Sequence, residues 1–530
     1  MMLNLLARYS IFLLSILFSI LSIACAAFMG SSWLIPMPFV GLACLGLLDL
    51  IQTKHAVRRN YPVIGNMRYL LESVRPEIRQ YFFEGDHEDL PFSRADRAMV
   101  YRRARNIPAN KAFGTLDNLY AGNHEFISHS IEPVHVDASM LRINIGGPAC
   151  SQPYSASLLN VSAMSFGALS ANAIRALCQG AKINNFAVDT GEGGISKYHL
   201  ESGCDLIYEV GSGYFGCRNE DGTFSEARFK EQSRRPNVKM IELKMSQGAK
   251  PGHGGMLPGS KVTPEIAEAR GVMVGQDCVS PARHTAFTGP LGLIHFIGRL
   301  RELSGGKPVG FKLCIGRPVE AASLVKAMLE TGIYPDFIVI DGSEGGTGAA
   351  PEEFSDNIGM PLRDGLVLMH NLLKGAGLRR KIKIGCSGKI ISGFDIVRMI
   401  ALGADWVNSA RGFMFSLGCI QSQSCNDKCP TGIATQDPLR QRALNVDDKA
   451  PKVANFHRNT LVSVAEILGA AGLCSSEELS AERIMRRVSD SQISSYAALY
   501  PWLHYGELID GVSNNAYYKE LWAQARSDKF

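Results

Sequence analysis

Between Arg8 and Asp49 the chain carries no charged residue, whereas beyond Gln52 apolar and polar positions interleave at short range. A bilayer core takes about 20 apolar residues per helix. The stretch therefore predicts a transmembrane hairpin within residues 1–52: a span over Tyr9–Met29, a turn at Gly30-Ser31-Ser32, and a shorter return over Trp33–Leu48 bearing Pro36 and Pro38. Arg8 in front and Lys54, Arg58 and Arg59 behind place both flanks, and everything downstream, on the cytoplasmic side of the cell inner membrane. A cleaved signal peptide ending near Ala24-Cys25-Ala26 is the competing reading, and a second apolar stretch right after such a cut argues against it. Residues 53–155 read as a membrane-proximal cap, with helix-like patterns at Ile64–Ser73 and Pro76–Phe83. The arginine-rich stretch Arg94–Arg105 reads as a solvated helix face.

Over residues 156–436, short β-rich apolar runs alternate with helical stretches, the pattern of repeated βα units and a parallel sheet. Strands are predicted over Leu159–Ala163, Phe186–Asp189, Val238–Lys244, Met273–Val279, Val309–Cys314, Phe337–Asp341, Ile382–Cys386 and Trp406–Ser409. Eight such strands predict an α/β fold of the (β/α)8 TIM-barrel class. An open doubly wound sheet would show one early G-x-G-x-x-G, but here glycines follow nearly every strand. Residues 437–530 form a helical extension, clearest over Asn455–Leu468 and Glu478–Val488.

Composition narrows the chemistry. Lys plus Arg at 55 against Asp plus Glu at 50 is too weak a surplus for a nucleic-acid partner. Thirteen cysteines, an odd number, favour a reducing compartment in which some thiols bind metal. In a barrel the chemistry sits at the carboxyl ends of the strands. Those ends carry Met164-Ser165-Phe166-Gly167, Asp189-Thr190-Gly191-Glu192, and a loop from Ser246 to Gly255 with two cations, Lys250 and His253. Lys312 lies in an apolar strand, where an ammonium needs a negative partner. Asp341 through Gly348, Gly388-Lys389 and Ser409 through Arg411 follow the late strands, where barrels hold phosphate on free N–H groups. A phosphate site plus a central lysine suits flavin mononucleotide (FMN), whose N1–C2=O edge gains negative charge on reduction. Cys419, Cys425 and Cys429, closed by Pro430, have the spacing of an iron–sulfur loop, and three ligands suggest a three-iron (3Fe-4S) cluster. A structural zinc would want a fourth ligand.

The segments MSFGALS, DTGEGG, QGAKPGHGG, LPGSKVTPEIAEARG, DGSEGGTGA, SGKIISGFDI, LGC and CPTGIATQD carry a resemblance. The run from Met164 to Gln436 resembles the synthase domain of glutamate synthase, and Lys54 to Arg487 is similar to the stand-alone FMN-binding glutamate synthase family. The resemblance implies an FMN barrel fed by a 3Fe-4S cluster, reducing 2-iminoglutarate, formed from 2-oxoglutarate and ammonia, to glutamate. It places Met164, Ser165, Gly167, Lys312, Asp341, Gly345, Gly346, Gly388, Lys389, Ser409 and Arg411 at the flavin, and Cys419, Cys425 and Cys429 at the cluster. Gln247, Lys250 and Arg270 would bind the keto acid, with Glu192 and Lys250 catalytic. The chain departs from the pattern in three places. The cysteine spacing is C-x5-C-x3-C against C-x5-C-x4-C, Met256 replaces a glutamine, and Tyr208-Glu209 replaces a Lys-Gln pair. Two other readings stay open: an FMN oxidoreductase on another 2-oxo or 2-hydroxy acid, and a non-catalytic membrane-bound FMN scaffold. With no nicotinamide site visible, electrons are expected from a ferredoxin-like or membrane donor.

Overall fold

The computed structural model describes residues 2–85, 91–108, 110–423, 425, 427–511 and 513–530. The chain divides into two compact units, residues 1–88 and 89–530.

In the first unit, helices Met2–Met29 and Pro36–Ile51 run antiparallel. The Phe18 and Phe39 rings lie 5.5 Å apart. Phe12 packs so closely on Gly46 that a Cβ there would come within 2.2 Å of its ring. Arg8–Met29 is long and apolar enough to cross a membrane, while Pro36–Ile51 is apolar but only 16 residues long. Leu14, Phe18 and Leu21 remain exposed along the first helix. Asp49 closes the second by accepting bonds from Val63 N (3.0 Å) and Asn66 Nδ2 (2.5 Å). The two helix-like patterns that follow merge into one helix, Gly65–Ile78, which continues through Pro76 into a wider turn at Arg79–Phe83.

In the second unit, eight parallel strands close into a barrel: Leu159–Val161, Val188–Asp189, Leu206–Val210, Val238–Lys244, Val309–Leu313, Phe337–Asp341, Lys383–Ser387 and Trp406–Ser409. The ring closes where Val407 to Ser409 pair with Leu159 to Val161. Seven strands fall where the sequence predicts them. The remaining one corrects the prediction. Met273–Val279 is not a barrel strand; its end, Cys278–Ser280, pairs antiparallel with Gly255–Leu257 in a small hairpin. Its place in the ring belongs to Leu206–Val210, five buried residues whose Tyr and Glu break up the apolar run. Gly271 and Gly275, at φ +67° and +75°, keep the Met273 segment from extending as a strand.

The amino ends of the strands are covered by the hairpin Arg142–Ile145 and Tyr154–Ser157. Asp336 anchors it, accepting from Gly147 N at 2.7 Å and pairing with Arg301 at 2.9 Å. Outside the barrel, helix Ala171–Asn184 starts on a Ser170 cap and meets helix Val446–Ala470 at Gly180, where a Cβ would lie 2.6 Å from Val453. Helix Arg94–Ala104 packs there too, with Asn459 Nδ2 donating to Arg103 O at 2.7 Å. Its arginines are therefore not all solvated: Arg97, Val100 and Ala104 form a buried stripe at helical spacing. Glu478–Val488 is not helical. Ile484–Arg487 is a strand between Glu125–Ile127 and Ile493–Ser495, where Ile127 and Ile484 pair across the sheet.

Candidate functional site

At the carboxyl ends of the early strands, the loops fold around one carboxylate. Glu192 follows the second strand, and its Oε2 lies 3.1 Å from Nζ of Lys244, the last residue of the fourth. Gly211 and Gly255 stand against it, since a Cβ on either would come 3.1 Å from a Glu192 oxygen. Burial works against ionisation here, but Lys244, Arg270 and Lys250 outweigh it and hold Glu192 below the ordinary carboxylate range. His284 buttresses the floor, with Nε2 2.8 Å from Lys244 O and Nδ1 3.1 Å from Tyr214 Oη. Burial pushes it down to about 4, so the ring is neutral at pH 7.

Two further cations enter from different elements. Lys250 is buried and donates to Gly254 O at 3.0 Å. Burial first, and then Lys244, lowers its pKa against the pull of Glu192. Arg270 ends helix Pro264–Arg270, is 4% exposed, and lies over the Phe215 ring at 4.9 Å. Its Nη2 makes a long contact to Phe166 O at 3.5 Å, and its Nε has no hydrogen-bond partner among the described residues. Gly167 and Gly193 leave room for it, each Cβ position lying 3.3 Å from Nη2. Among the described residues, no carboxylate makes an ion pair with either Lys250 or Arg270. Glu192, Lys244, Gln247 and Lys250 line one cavity of about 30 Å³, close to the space one water occupies. A larger cavity, about 820 Å³, lies at the opposite end of the barrel, lined by Arg142, Lys239 and Lys307, and holds none of the predicted site residues.

The sequence-predicted flavin residues gather at the same face. Met164, Ser165 and Gly167 follow the first strand, and Lys312 sits in the fifth. Asp341 ends the sixth strand, accepting from Gly248 N at 2.7 Å and from the Ser387 hydroxyl. A Cβ on Gly248 would lie 1.8 Å from Gly342 O, so only glycine lets these loops meet. Gly345 and Gly346 follow, then Gly388 and Lys389 beyond the seventh strand, with Lys389 in the left-handed region at φ +48°. Ser409 donates to Ile390 O at 2.7 Å. Lys389 makes no ion pair among the described residues, and Arg411 donates to sulfurs, at 3.3 Å from Cys425 Sγ and 3.5 Å from Met414 Sδ. Two cations without carboxylate partners, beside glycine turns that open helices, fit a phosphate group.

Cys419, Cys425 and Cys429 follow helix Arg411–Leu417. Burial raises Cys419, and the other two thiols add to it, so Cys425 and Cys429 both lie within reach of Cys419. Burial alone would raise Cys429 as well, but Thr431 and the Ala434, Thr431 and Ile433 amides outweigh it and lower its pKa. Donors aimed at sulfur and an arginine on Cys425 would suit an iron–sulfur group held by these thiols. The loop abuts the flavin segment, since a Cβ on Gly348 would lie 2.4 Å from Cys425 O.

Two of the departures are placed by the structure. Tyr208 points out of the barrel and stacks on Phe229 at 6.1 Å, away from the mouth. Glu209, next in the strand, points inward and bonds Lys312. Met256 is 61% exposed on the small hairpin. The sequence reading missed Lys244 and Glu242 as site residues. Glu242 gave the same signal as Lys312, a charge inside an apolar strand.

The family profile described as a conserved region in glutamate synthase matches residues 128–474, more than half of the chain. The chain belongs to the glutamate synthase family. A glutamate synthase large subunit-like protein, YerD, of Bacillus subtilis (strain 168) is 37% identical over 502 residues, covering 87% of this chain and 95% of that protein. An archaeal-type glutamate synthase [NADPH] of Thermotoga neapolitana is 37% identical over 323 residues, 61% of this chain and 60% of its own length. An archaeal glutamate synthase [NADPH] of Methanocaldococcus jannaschii is 37% identical over 322 residues, 60% of each chain. The glutamate synthase region thus spans the whole barrel and its cysteine loop, and the YerD-like match reaches well beyond it.

Proposed function

We propose that this protein is a glutamate-synthase-type oxidoreductase that reduces the imine formed from 2-oxoglutarate and ammonia to glutamate at the barrel mouth. The carrying observation is the pair of buried cations, Lys250 and Arg270, neither in an ion pair among the described residues, beside the Glu192–Lys244 couple. A dicarboxylate brings one anion for each, and charge-assisted pairs of this kind are the strong ones. Arg270, pinned between Phe215 and the glycine loops, would fix one carboxylate, and Lys250 the other. Glu192 Oε2, ionised at pH 7, is the acceptor for the proton shed by the nitrogen once ammonia has added to the keto carbon. The glycine-rich Ser246–Gly255 loop shifts outward to admit the substrate, because the present cavity is too small.

Gly345, Gly346, Gly388, Lys389, Ser409 and Arg411 would hold the phosphate of FMN, and Cys419, Cys425 and Cys429 a 3Fe-4S cluster. Bound flavin supplies the hydride and the cluster supplies single electrons. Electrons come from a ferredoxin-like or membrane donor, and the apolar hairpin anchors the chain in the cell inner membrane with the barrel facing the cytoplasm.

The test is an anaerobic absorption spectrum of detergent-purified protein with iron and sulfide analysis. Flavin colour and about three irons per chain support the cofactors. After chemical reduction, colour that returns only when 2-oxoglutarate and ammonium are both present supports the reaction. A colourless protein that refuses added FMN overturns it.

A further inference from the structure

Asp189, Glu209, Glu242 and Lys312 come from four neighbouring barrel strands, and none is more than 3% exposed. One oxygen of each acid lies within 4.8 Å of the other two. Lys312 Nζ sits among them, bonded to Glu209 and 2.9 Å from Glu242 Oε1. The ammonium already occupies the place a metal would take. Three acids facing one ammonium would carry a net charge of −2 if all were ionised, and each uncompensated charge in a dry interior costs several kcal/mol.

The geometry shows where the excess is relieved. Both Glu242 oxygens are buried and lack a directed hydrogen-bond donor among the described residues, so the contact to Lys312 has an ion pair's distance without a hydrogen bond's direction. A carboxyl so placed loses least by carrying a proton. Burial first, then Glu242 and Glu209, raises Asp189; burial first, with Glu209, raises Glu242 against the pull of Lys312 and Asp189; at Lys312 the acids outweigh burial and keep it charged. Asp341 is the further acid acting on Lys312, and its oxygens already accept from Gly248 N and Ser387 Oγ.

We propose that this cluster is the proton store of the barrel, holding one proton on Asp189 or Glu242 at neutral pH and taking up a second from solvent when two electrons arrive beside Lys312. The second half rests on the flavin reading above. In that step no bond among the four residues breaks. A one-electron donor supplies the two electrons, which remain at the mouth. One carboxylate oxygen gains the proton, and the cluster charge rises from −1 to zero. When the electrons pass to the imine, the carboxyl returns its proton. The driving force is the new negative charge nearby, which raises proton affinity. Lys312 therefore does not face the flavin as a lone positive charge.

Two measurements test this. Infrared spectra of the flavin-free full chain at neutral pH should show a carboxylic-acid carbonyl band that Glu242→Gln or Asp189→Asn shifts or removes. A wild-type protein without the band overturns the store. In the FMN-loaded protein, the pH dependence of the midpoint potential should show one more proton per two electrons in wild type than in the Asp189→Asn/Glu242→Gln double variant, where Glu209 alone is matched by Lys312. Equal stoichiometry overturns the uptake step, as does a second proton whose spectrum places it on the flavin. Should Glu242→Gln fail to fold, Asp189→Asn gives the same infrared reading. A chain that never binds FMN overturns the flavin reading and the uptake with it, and the infrared band still decides the stored proton.

Discussion

Glu192 is the one anion among Lys244, Lys250 and Arg270, so neutralising it separates binding from turnover. Glu192→Gln leaves three cations facing a dicarboxylate and is expected to bind 2-oxoglutarate more tightly while slowing turnover about 100-fold or more, as loss of a general base does. Calorimetric affinity and steady-state rates check this together, and weaker binding would refute the charge argument. Conversely, Lys250→Met and Arg270→Gln should each raise KM for the keto acid about tenfold or more, since a charge-assisted bond is worth roughly 1.5–3 kcal/mol. Much of this site was legible in the sequence, because glycine loops after strands mark a barrel mouth wherever they fall in the chain. Lys244 was hidden because it ends an ordinary amphipathic strand, and its meaning depends on Glu192, 52 positions earlier.

Elements lock together through a buried charge that the sequence did not reveal. Glu125, in a three-residue strand, accepts from Arg363 (2.6 Å), Arg398 (2.7 Å) and Arg486 (3.0 Å), which come from two barrel helices and the neighbouring strand. Burial alone would raise Glu125, but Tyr496 and the arginines outweigh it and hold it ionised. Glu125→Ala strands three arginines and should cost about 3–5 kcal/mol in a denaturant melt, as breaking a buried pair does. A loss under about 1 kcal/mol would assign the contact to the exposed-pair class. The barrel's register was readable from apolar runs flanked by glycine, and it failed once. Leu206–Val210 carries a tyrosine and a glutamate, yet all five residues are buried because the glutamate answers Lys312 inside and the tyrosine answers Phe229 outside. A lone strand cannot disclose such partners. The same blindness made Ile484–Arg487 look helical, since its pairing strand is Glu125–Ile127, some 360 positions away.

Over the whole molecule, the division at residues 88 and 89 gives the membrane reading a direct check. Full-length chain is expected to sediment with membranes, and a chain lacking residues 1–88 to remain in the supernatant and fold. Soluble full-length protein would contradict the anchor. The enclosed barrel also sets how the protein meets acid. His199, His284 and His457 are buried, and burial pushes them down to about 4, about 4 and about 3. Their ordinary value is 6.5, so below it the unfolded chain binds protons that the folded chain refuses. The stability they confer is complete above pH 6.5 and is lost as pH falls toward the folded values, at about 1.4 kcal/mol per pH unit for each histidine. Asp189 and Glu242 oppose this. Their raised pKa means the folded state keeps a proton the unfolded state has released, and one stored proton offsets one histidine. The net expectation, from these groups, is a loss of about 3 kcal/mol per pH unit below about pH 6. Denaturant melts of the full chain in detergent between pH 7 and 5 measure it. His457→Phe, which keeps the ring stacked on Phe186 at 4.0 Å, should remove one histidine's share of the slope. An unchanged slope in that variant would mean that His457 takes up its proton while folded.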